Sequence, residues 1–342
     1  MLVAHWLWAE RSLPARLARI PLIPASLMVR GLAAMRAGAY HSRLLPHQAL
    51  PLPTVAVGNL TVGGSGKTPI ASWIAKYYAS RGYVPGIVLR GYGGDEGAFH
   101  RRSLPGAVVI ENPDRLIGGR EAAARGADVL VLDDAYQRLD VDRDLNIAVV
   151  SAESGRAVRW TLPAGPWREG WRALKRADLV IVTRKRARLK VAEAVASRVR
   201  RAVANCPVAV ARLGIAGFTG MLSGRSVDLS EIRNARVVAA AGIADPYTFA
   251  AQCTALGAEV SLVAWRDHHP ITERDALRLA RAGREADYVV VTEKDAVKLR
   301  RRWPRQRPEP LVAVLELSWE RGGDIVLAAL DAAVEEVEEL VC

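Results

Sequence analysis

The chain has 342 residues, half of them hydrophobic and a quarter charged, enough to bury two ordinary cores and too apolar for a disordered or fibrous chain. Its net charge of +12, carried mostly by arginine, calls for anionic partners, yet aromatics do not interleave with the basic residues in a nucleic-acid pattern, so nucleic acid is not expected among them. Cys206, Cys253 and Cys342 stand far apart without CxxC spacing, which leaves no disulfide framework or zinc site and fits a reducing cytoplasm.

Residues 1–50 set six arginines (11, 16, 19, 30, 36 and 43) and one acid, Glu10, among Trp6, Leu7, Trp8, Leu17, Ile20, Leu22, Ile23, Leu27, Met28 and Val29. Arginine or proline interrupts every apolar run before it reaches the ~20 residues of a bilayer span. The segment reads as an interfacial anchor, with tryptophan at headgroup depth and arginine against anionic lipid; helices packed on the core with their arginines in water are the plainer alternative. Lacking a basic start and an uninterrupted apolar core, it is not expected to be a cleaved signal peptide.

The apolar run 54–57 gives way to Thr61-Val62-Gly63-Gly64-Ser65-Gly66-Lys67-Thr68 and then to a helical segment through residue 80. Strand, glycine turn and helix start, in that order, build a phosphate cradle in which backbone N–H groups at the helix N-terminus point inward together. Lys67 can reach the β and γ phosphates of a nucleotide, and Thr68 can offer its hydroxyl to Mg²⁺. The strict pattern wants glycine five residues before Gly66, where this chain has Thr61.

Residues 84–89 read as the next strand of a βαβ unit, opening onto Arg90-Gly91-Tyr92-Gly93-Gly94-Asp95-Glu96. Ligands of open α/β sheets sit beyond the carboxyl ends of strands, so Asp95 and Glu96 should face the crevice that Lys67 faces, where a carboxylate can take a proton from an attacking hydroxyl. A solvated acidic loop is the competing explanation. The buried strand 128–132 ends in Asp133-Asp134, acids suited to holding Mg²⁺; adjacent side chains diverge, so one binds metal and the other braces, unless both merely cap a turn. After the strand 145–150 comes the proline-bracketed loop 162–169, in which Arg168 can offset charge on a transferring phosphoryl group and Glu169 can ligate magnesium, if it is not simply a surface loop. Residues 179–183 close this sheet, and the basic run 184–190 reads as a solvated face leading into a helix.

Residues 207–234 change character, with short strands and four glycines, and read as a connecting β segment. A second α/β unit starts at 237–241 and carries Asp267-His268-His269 at the end of the strand 258–265. An aspartate paired with a histidine can tune a base near neutral pH, whereas adjacent histidines diverge too far for a metal pair; capping and surface roles are the alternative. The last helix, 324–340, is acidic. The expected organisation is thus an anchor at 1–50, a nucleotide-binding lobe at 51–206, a β linker at 207–234 and a C-terminal α/β lobe at 235–342.

Taken together, VGNLTVGGSGKTP, LRGYGG, GDE, NPDR, LDDAYQR, RDLNI, LPAGPWRE, GIADP, DHH and VTEKDAVKL resemble the tetraacyldisaccharide 4′-kinase family of lipid A biosynthesis, in family order from about residue 6 to about residue 300. The resemblance implies an α/β protein of two α/β/α lobes with mainly parallel sheets, a P-loop NTPase-like N-terminal lobe and a short two-stranded linker. It further implies phosphoryl transfer from ATP, with Mg²⁺, to the 4′-hydroxyl of a membrane-embedded acylated disaccharide 1-phosphate at the cytoplasmic face of the bacterial inner membrane, by a peripheral enzyme with no obligate protein partner. Carried over by position, the phosphate loop falls on residues 61–68, the catalytic aspartate on Asp95 with Glu96 as fallback, and its partner on His268, His269 being the other alignment. The acidic strand end falls on Asp133 and Asp134 and the Arg-Glu pair on Arg168 and Glu169. Two departures stand out: RGYGG and GDE merge without the longer insertion, and the usual DDGFQH reads DDAYQR, with Ala135 and Arg138 replacing Gly and His.

Lys67, Mg²⁺ and Arg168 would then offset charge while Asp95, paired with His268, takes the proton. A P-loop switch NTPase that loads a partner protein is the alternative from another class, although the guanine-reading NKxD pattern is absent; a cytosolic small-molecule kinase is a third.

Overall fold

The structure, a computed structural model, describes residues 6–8, 10, 12–91, 95–156, 158–267 and 269–341; side chains at 95, 155, 156 and 336–341 lie outside that description. After a helical stretch at 6–8 come α1 (Leu13–Arg19), a 3-10 turn Ile20–Leu22 and α2 (Ile23–His41). Pro14, Pro21 and Pro24 each fall in the opening turn of their own segment, where no backbone N–H is needed, so they do not break the helical path. By length and mean hydropathy, Leu13–His41 is long and apolar enough to cross a bilayer, and little of its most apolar window is buried.

There follow β1 (Thr54–Asn59), α3 (Lys67–Ser80), β2 (Pro85–Leu89), α4 (Asp95–Ser103), β3 (Val108–Glu111), α5 (Arg115–Ala124), β4 (Val129–Asp133), β5 (Leu145–Ser151), β6 (Leu179–Arg184) and α6 (Leu189–Ala202). β7 (Val208–Gly220), β8 (Ser226–Val227), β9 (Arg236–Ala241), α7 (Pro246–Ala255), β10 (Glu259–Ala264), α8 (Glu273–Ala282), β11 (Tyr288–Thr292), α9 (Glu293–Leu299), β12 (Leu311–Arg321) and α10 (Gly323–Val341) complete the chain.

Contacts divide the chain into two units: Met1–Gly91 with Leu104–Ala211 and Trp319–Cys342, and Tyr92–Ser103 with Arg212–Ser318. The first holds a parallel sheet in the order β6-β5-β1-β4-β2-β3. Its central strands are apolar at nearly every position because both faces are covered, as a parallel sheet requires. Ala56, Val88, Leu130 and Leu132 pack with α5, while Ala148, Val150, Val180 and Val182 pack with α6. Alternate residues turn to the other face, where α3 and α10 lie on β1.

In the second unit β9 lies between β10 and β11, all parallel, and β11 continues parallel to β12. α7 brings Phe249 and Cys253 onto Val237, Ala239 and Ala241, and α8 and α9 bring Leu279, Ala296 and Leu299 onto Val238, Ala240 and Val291. β7 and β12 each begin in one unit and end in the other, so two strands carry the chain across.

The expected lobe boundaries shift in two places. α10, assigned from sequence to the C-terminal lobe, belongs to the first unit, where the Tyr77 hydroxyl donates to Asp331 Oδ1 at 2.6 Å and the Tyr78 hydroxyl to the Leu330 carbonyl at 2.9 Å. Conversely α4, assigned to the nucleotide-binding lobe, belongs to the second unit, where Glu96 meets Lys294 at 2.8 Å.

Candidate active site

β1 ends on Asn59, fully buried, whose side-chain amide donates to the Thr61 carbonyl and the Ser65 hydroxyl, both at 2.8 Å. These two bonds fold residues 60–66 back over the strand end. Gly66 caps α3 at φ +90°, in the left-handed region that favours glycine, and Gly63 sits at φ +116°. The loop therefore runs into the first turn of a 14-residue helix, whose leading N–H groups and dipole favour an anion. Thr68 is buried in that turn.

The loop is held from above by the proline-bracketed segment. Val62 N–H donates to the Pro166 carbonyl at 2.8 Å, Arg168 N–H donates to the Leu60 carbonyl at 2.7 Å, and Thr61 pairs with Trp167 in an antiparallel bridge. This short ladder delivers Arg168 to the mouth of the glycine loop. Far from a free surface loop, the segment is also pinned to α2: Ser26 Oγ donates to the Thr161 carbonyl at 2.8 Å and accepts from Ala164 N–H at 2.9 Å.

At the end of β4 the backbone of Asp134 adopts φ +54°. That turn parts the two adjacent acids, leaving Asp133 buried and Asp134 half-buried toward the loop. Asp134 Oδ1 lies 3.0 Å from Arg168 Nη1 and 3.9 Å from Lys67 Nζ. Gln137 completes the group, donating to the Asn59 carbonyl at 2.8 Å while its carbonyl oxygen accepts from Arg168 Nη1 at 3.4 Å. The turn packs tightly on β1: a Cβ at Gly58 would stand 2.6 Å from the Tyr136 nitrogen, so only glycine fits. From α5 the buried Arg115 donates to the Asp133 carbonyl at 3.0 Å, burial holding its guanidinium pKa below the usual value.

Lys67, Arg168 and Asp134 are thus brought together, with Thr68 and Asp133 in the adjoining turns. Glu169 is not. Both its carboxylate oxygens accept from Arg176 Nη2, at 2.9 and 2.8 Å, and Arg176 lies over the Tyr136 ring at 5.1 Å. Among the described residues no three acids, histidines or cysteines form a group able to hold a metal. Asp95 opens α4, its side chain outside the described set, and His268 lies outside the described residues. The alternatives to them have other partners: Glu96 meets Lys294, and His269 Nε2 contacts Asp275 Oδ2 at 3.1 Å. Asp275 belongs to the capping box of α8, where bonds from the Thr272 hydroxyl and N–H pull its pKa down to about 2.

Sequence reasoning missed the third support of the glycine loop, which comes from the last residue of the strand 179–183 and from the basic run it took for a solvated face. Thr183 Oγ1 donates to the Ser65 carbonyl at 2.7 Å, and Lys185 Nζ donates to the Gly64 carbonyl at 2.9 Å. Glu153 in turn accepts from the N–H groups of Lys185, Arg186 and Ala187. Burial pushes the Glu153 carboxyl upward, but these bonds, with one from Ser151, bring it to rest below the usual carboxylate range. The only signal available was position, one residue past the end of a mostly apolar strand.

Residues 18–335 match the sequence profile of the family described as tetraacyldisaccharide-1-P 4′-kinase. The chain belongs to that family. A tetraacyldisaccharide 4′-kinase of Anaeromyxobacter dehalogenans is 38% identical over 362 residues, an alignment covering 97% of this chain and 95% of the relative. One from Pelobacter propionicus is 36% identical and spans 85% of this chain and 86% of its own. LpxK of Aquifex aeolicus, solved in complex with ATP, matches with a TM-score of 0.74 at 23% identity, covering 93% of this chain and 99% of that one, a likeness of fold. The tetraacyldisaccharide 4′-kinase family is one of lipid kinases, and membership sets aside the partner-loading switch NTPase. The P-loop, α/β and mainly parallel character expected from sequence is what the chain has.

Proposed function

We propose that this protein transfers the γ-phosphoryl group of ATP to the 4′-hydroxyl of a tetraacylated glucosamine disaccharide 1-phosphate, working peripherally at the cytoplasmic face of the bacterial inner membrane with no obligate protein partner. The observation that carries the reading is the convergence of Lys67 and Arg168 on Asp134 at the mouth of a glycine loop that opens a long helix. Two cations positioned before any substrate arrives are what a phosphoryl transfer needs, since its transition state spreads charge over three oxygens and asks mainly for positioning and electrostatic support.

In this reading residues 61–68 wrap the triphosphate with backbone N–H groups, Lys67 spans the β and γ phosphates, and Arg168 leaves Asp134 for the γ-phosphoryl group. The Thr68 hydroxyl with Asp133 and Asp134 offers hard oxygen donors of the kind Mg²⁺ prefers, too few for an all-protein cage and suited to an ion that shares phosphate oxygens. Bound there, Mg²⁺ would neutralise phosphate charge. Glu169, engaged by Arg176, is assigned to holding the Arg168 loop, and a role in metal binding would require it to leave that partner. Asp95 is assigned the proton of the attacking hydroxyl, with His268 as its partner, on the likeness of RGYGGDE and DHH to the family's motifs; the neighbours Glu96 and His269 meet Lys294 and Asp275.

An acylated substrate must be met at a bilayer. Leu13, Leu17, Ile20, Leu27, Met28, Leu32 and Met35 are all more than half exposed along α1, the turn after it, and α2, an apolar outer face set among arginines. Such a face suits insertion at headgroup depth with the arginines meeting anionic lipid. The deciding assay supplies the full chain with γ-labelled ATP and a lipid A precursor in mixed micelles. Label on the 4′ position is the expected result, and hydrolysis indifferent to the lipid would overturn the reading.

A further inference from the structure

A triphosphate in the glycine loop presents its reacting end to Lys67, Arg168 and Asp134, the last standing at the carboxyl end of β4 on one side of β1. β5 and β6 end on the other side of β1, so a nucleoside at the opposite end of the same tail would lie there. The turn at 183–187 occupies that place. It touches two consecutive peptides of the glycine loop, Thr183 Oγ1 donating to the Ser65 carbonyl and Lys185 Nζ to the Gly64 carbonyl.

The turn is itself fixed. Glu153 Oε1 accepts from the N–H groups of Lys185, Arg186 and Ala187 at 2.7, 3.0 and 3.1 Å, and Oε2 accepts from the Ser151 hydroxyl at 2.8 Å. Four donors on one carboxylate are far more than a solvated basic run needs. With its ammonium lodged on Gly64, Lys185 has its four-carbon stem drawn along the rim of the loop, an apolar surface on a side chain whose charge is held elsewhere.

Building on the ATP reading above, we propose that Lys185 is a nucleoside-binding residue of this kinase: its stem forms the platform on which the adenine ring lies, and its ammonium, anchored on Gly64, keeps the stem in place. The turn holds no open carboxylate that could take the paired N–H donors of a guanine edge, because Glu153 is saturated and the position two beyond Lys185 is Ala187. The platform therefore carries no preference for guanine.

The test compares ATP with inorganic tripolyphosphate, which has the same tail and no nucleoside, by calorimetric titration of the full chain. Lys185→Ala should weaken ATP about tenfold, the scale of one lost base-stacking partner, and leave tripolyphosphate within about twofold. Lys185→Met, which keeps a long apolar stem and loses the charge, should retain ATP to within about threefold. Equal losses of both ligands in either variant would show that Lys185 only braces the loop and would overturn the proposal, as would an alanine variant that binds ATP normally. Should the alanine variant fail to fold, the methionine variant alone decides, since a brace needs the ammonium and a platform needs the stem. Failure of the unaltered chain to bind ATP while it binds tripolyphosphate would instead strike the ATP reading itself.

Discussion

Asp134 holds two cations, Lys67 and Arg168, in reserve at the mouth of the glycine loop. Removing Lys67 takes away the ammonium that spans the phosphates, so Lys67→Ala should cut phosphoryl transfer by roughly a hundredfold or more while circular dichroism stays unchanged. Arg168→Lys keeps the charge but not the fork, and an intermediate loss in kcat with little change in KM for ATP is the expected kinetic result. Glu169 offers the sharper contrast. It is buried against Arg176, so Arg176→Met should destabilise the protein by about 3–5 kcal/mol by leaving a carboxylate unpaired, and adding Glu169→Gln should restore much of that loss. Chemical denaturation of the single and double variants measures the recovery. A Glu169→Gln protein that folds normally but needs far more Mg²⁺ for activity would return that residue to the metal.

Among the elements, α2 does two jobs on opposite sides. Its inner side is fixed through Ser26 to the loop that carries Arg168, and Arg36 donates to the Gln137 carbonyl at 3.3 Å, while its outer side is a row of exposed leucine and methionine. Leu32→Asp with Met35→Asp should reduce flotation with anionic liposomes at least tenfold and leave the affinity for ATP unaltered, because neither side chain takes part in the inner contacts. The element-level reading of the sequence fared best where the pattern is self-contained. The strands at 54–57, 128–132 and 145–150 are apolar at nearly every position because each is covered on both faces, and the glycine turn declares itself by composition. It fared worst where a residue's role depends on a distant partner. Lys185 looks like any member of a basic run until Gly64, 121 residues earlier, is seen beneath it.

At the scale of the whole molecule the same reason explains the misplaced boundaries. α4 leaves the first unit and returns, and nothing within Asp95–Ser103 announces that its partner is Lys294, 198 residues on. Sequence order groups α10 with the C-terminal lobe, yet Val326, Leu330, Ala333 and Val334 recur at helical spacing and are buried in the first unit. An amphipathic stripe says that a helix packs; it does not say on what. The consequence is testable, because α10 completes the unit that holds the glycine loop. Leu330→Asp places a charge where the side chain is fully buried and should cost at least about 3 kcal/mol, enough to leave a marginal domain largely unfolded. If α10 instead served the second unit, the variant would keep its nucleotide affinity and the protease resistance of Lys67–Ser80. Loss of ATP-dependent protection of that helix in limited proteolysis, with excess nucleotide partly rescuing it by mass action, is the outcome this packing requires.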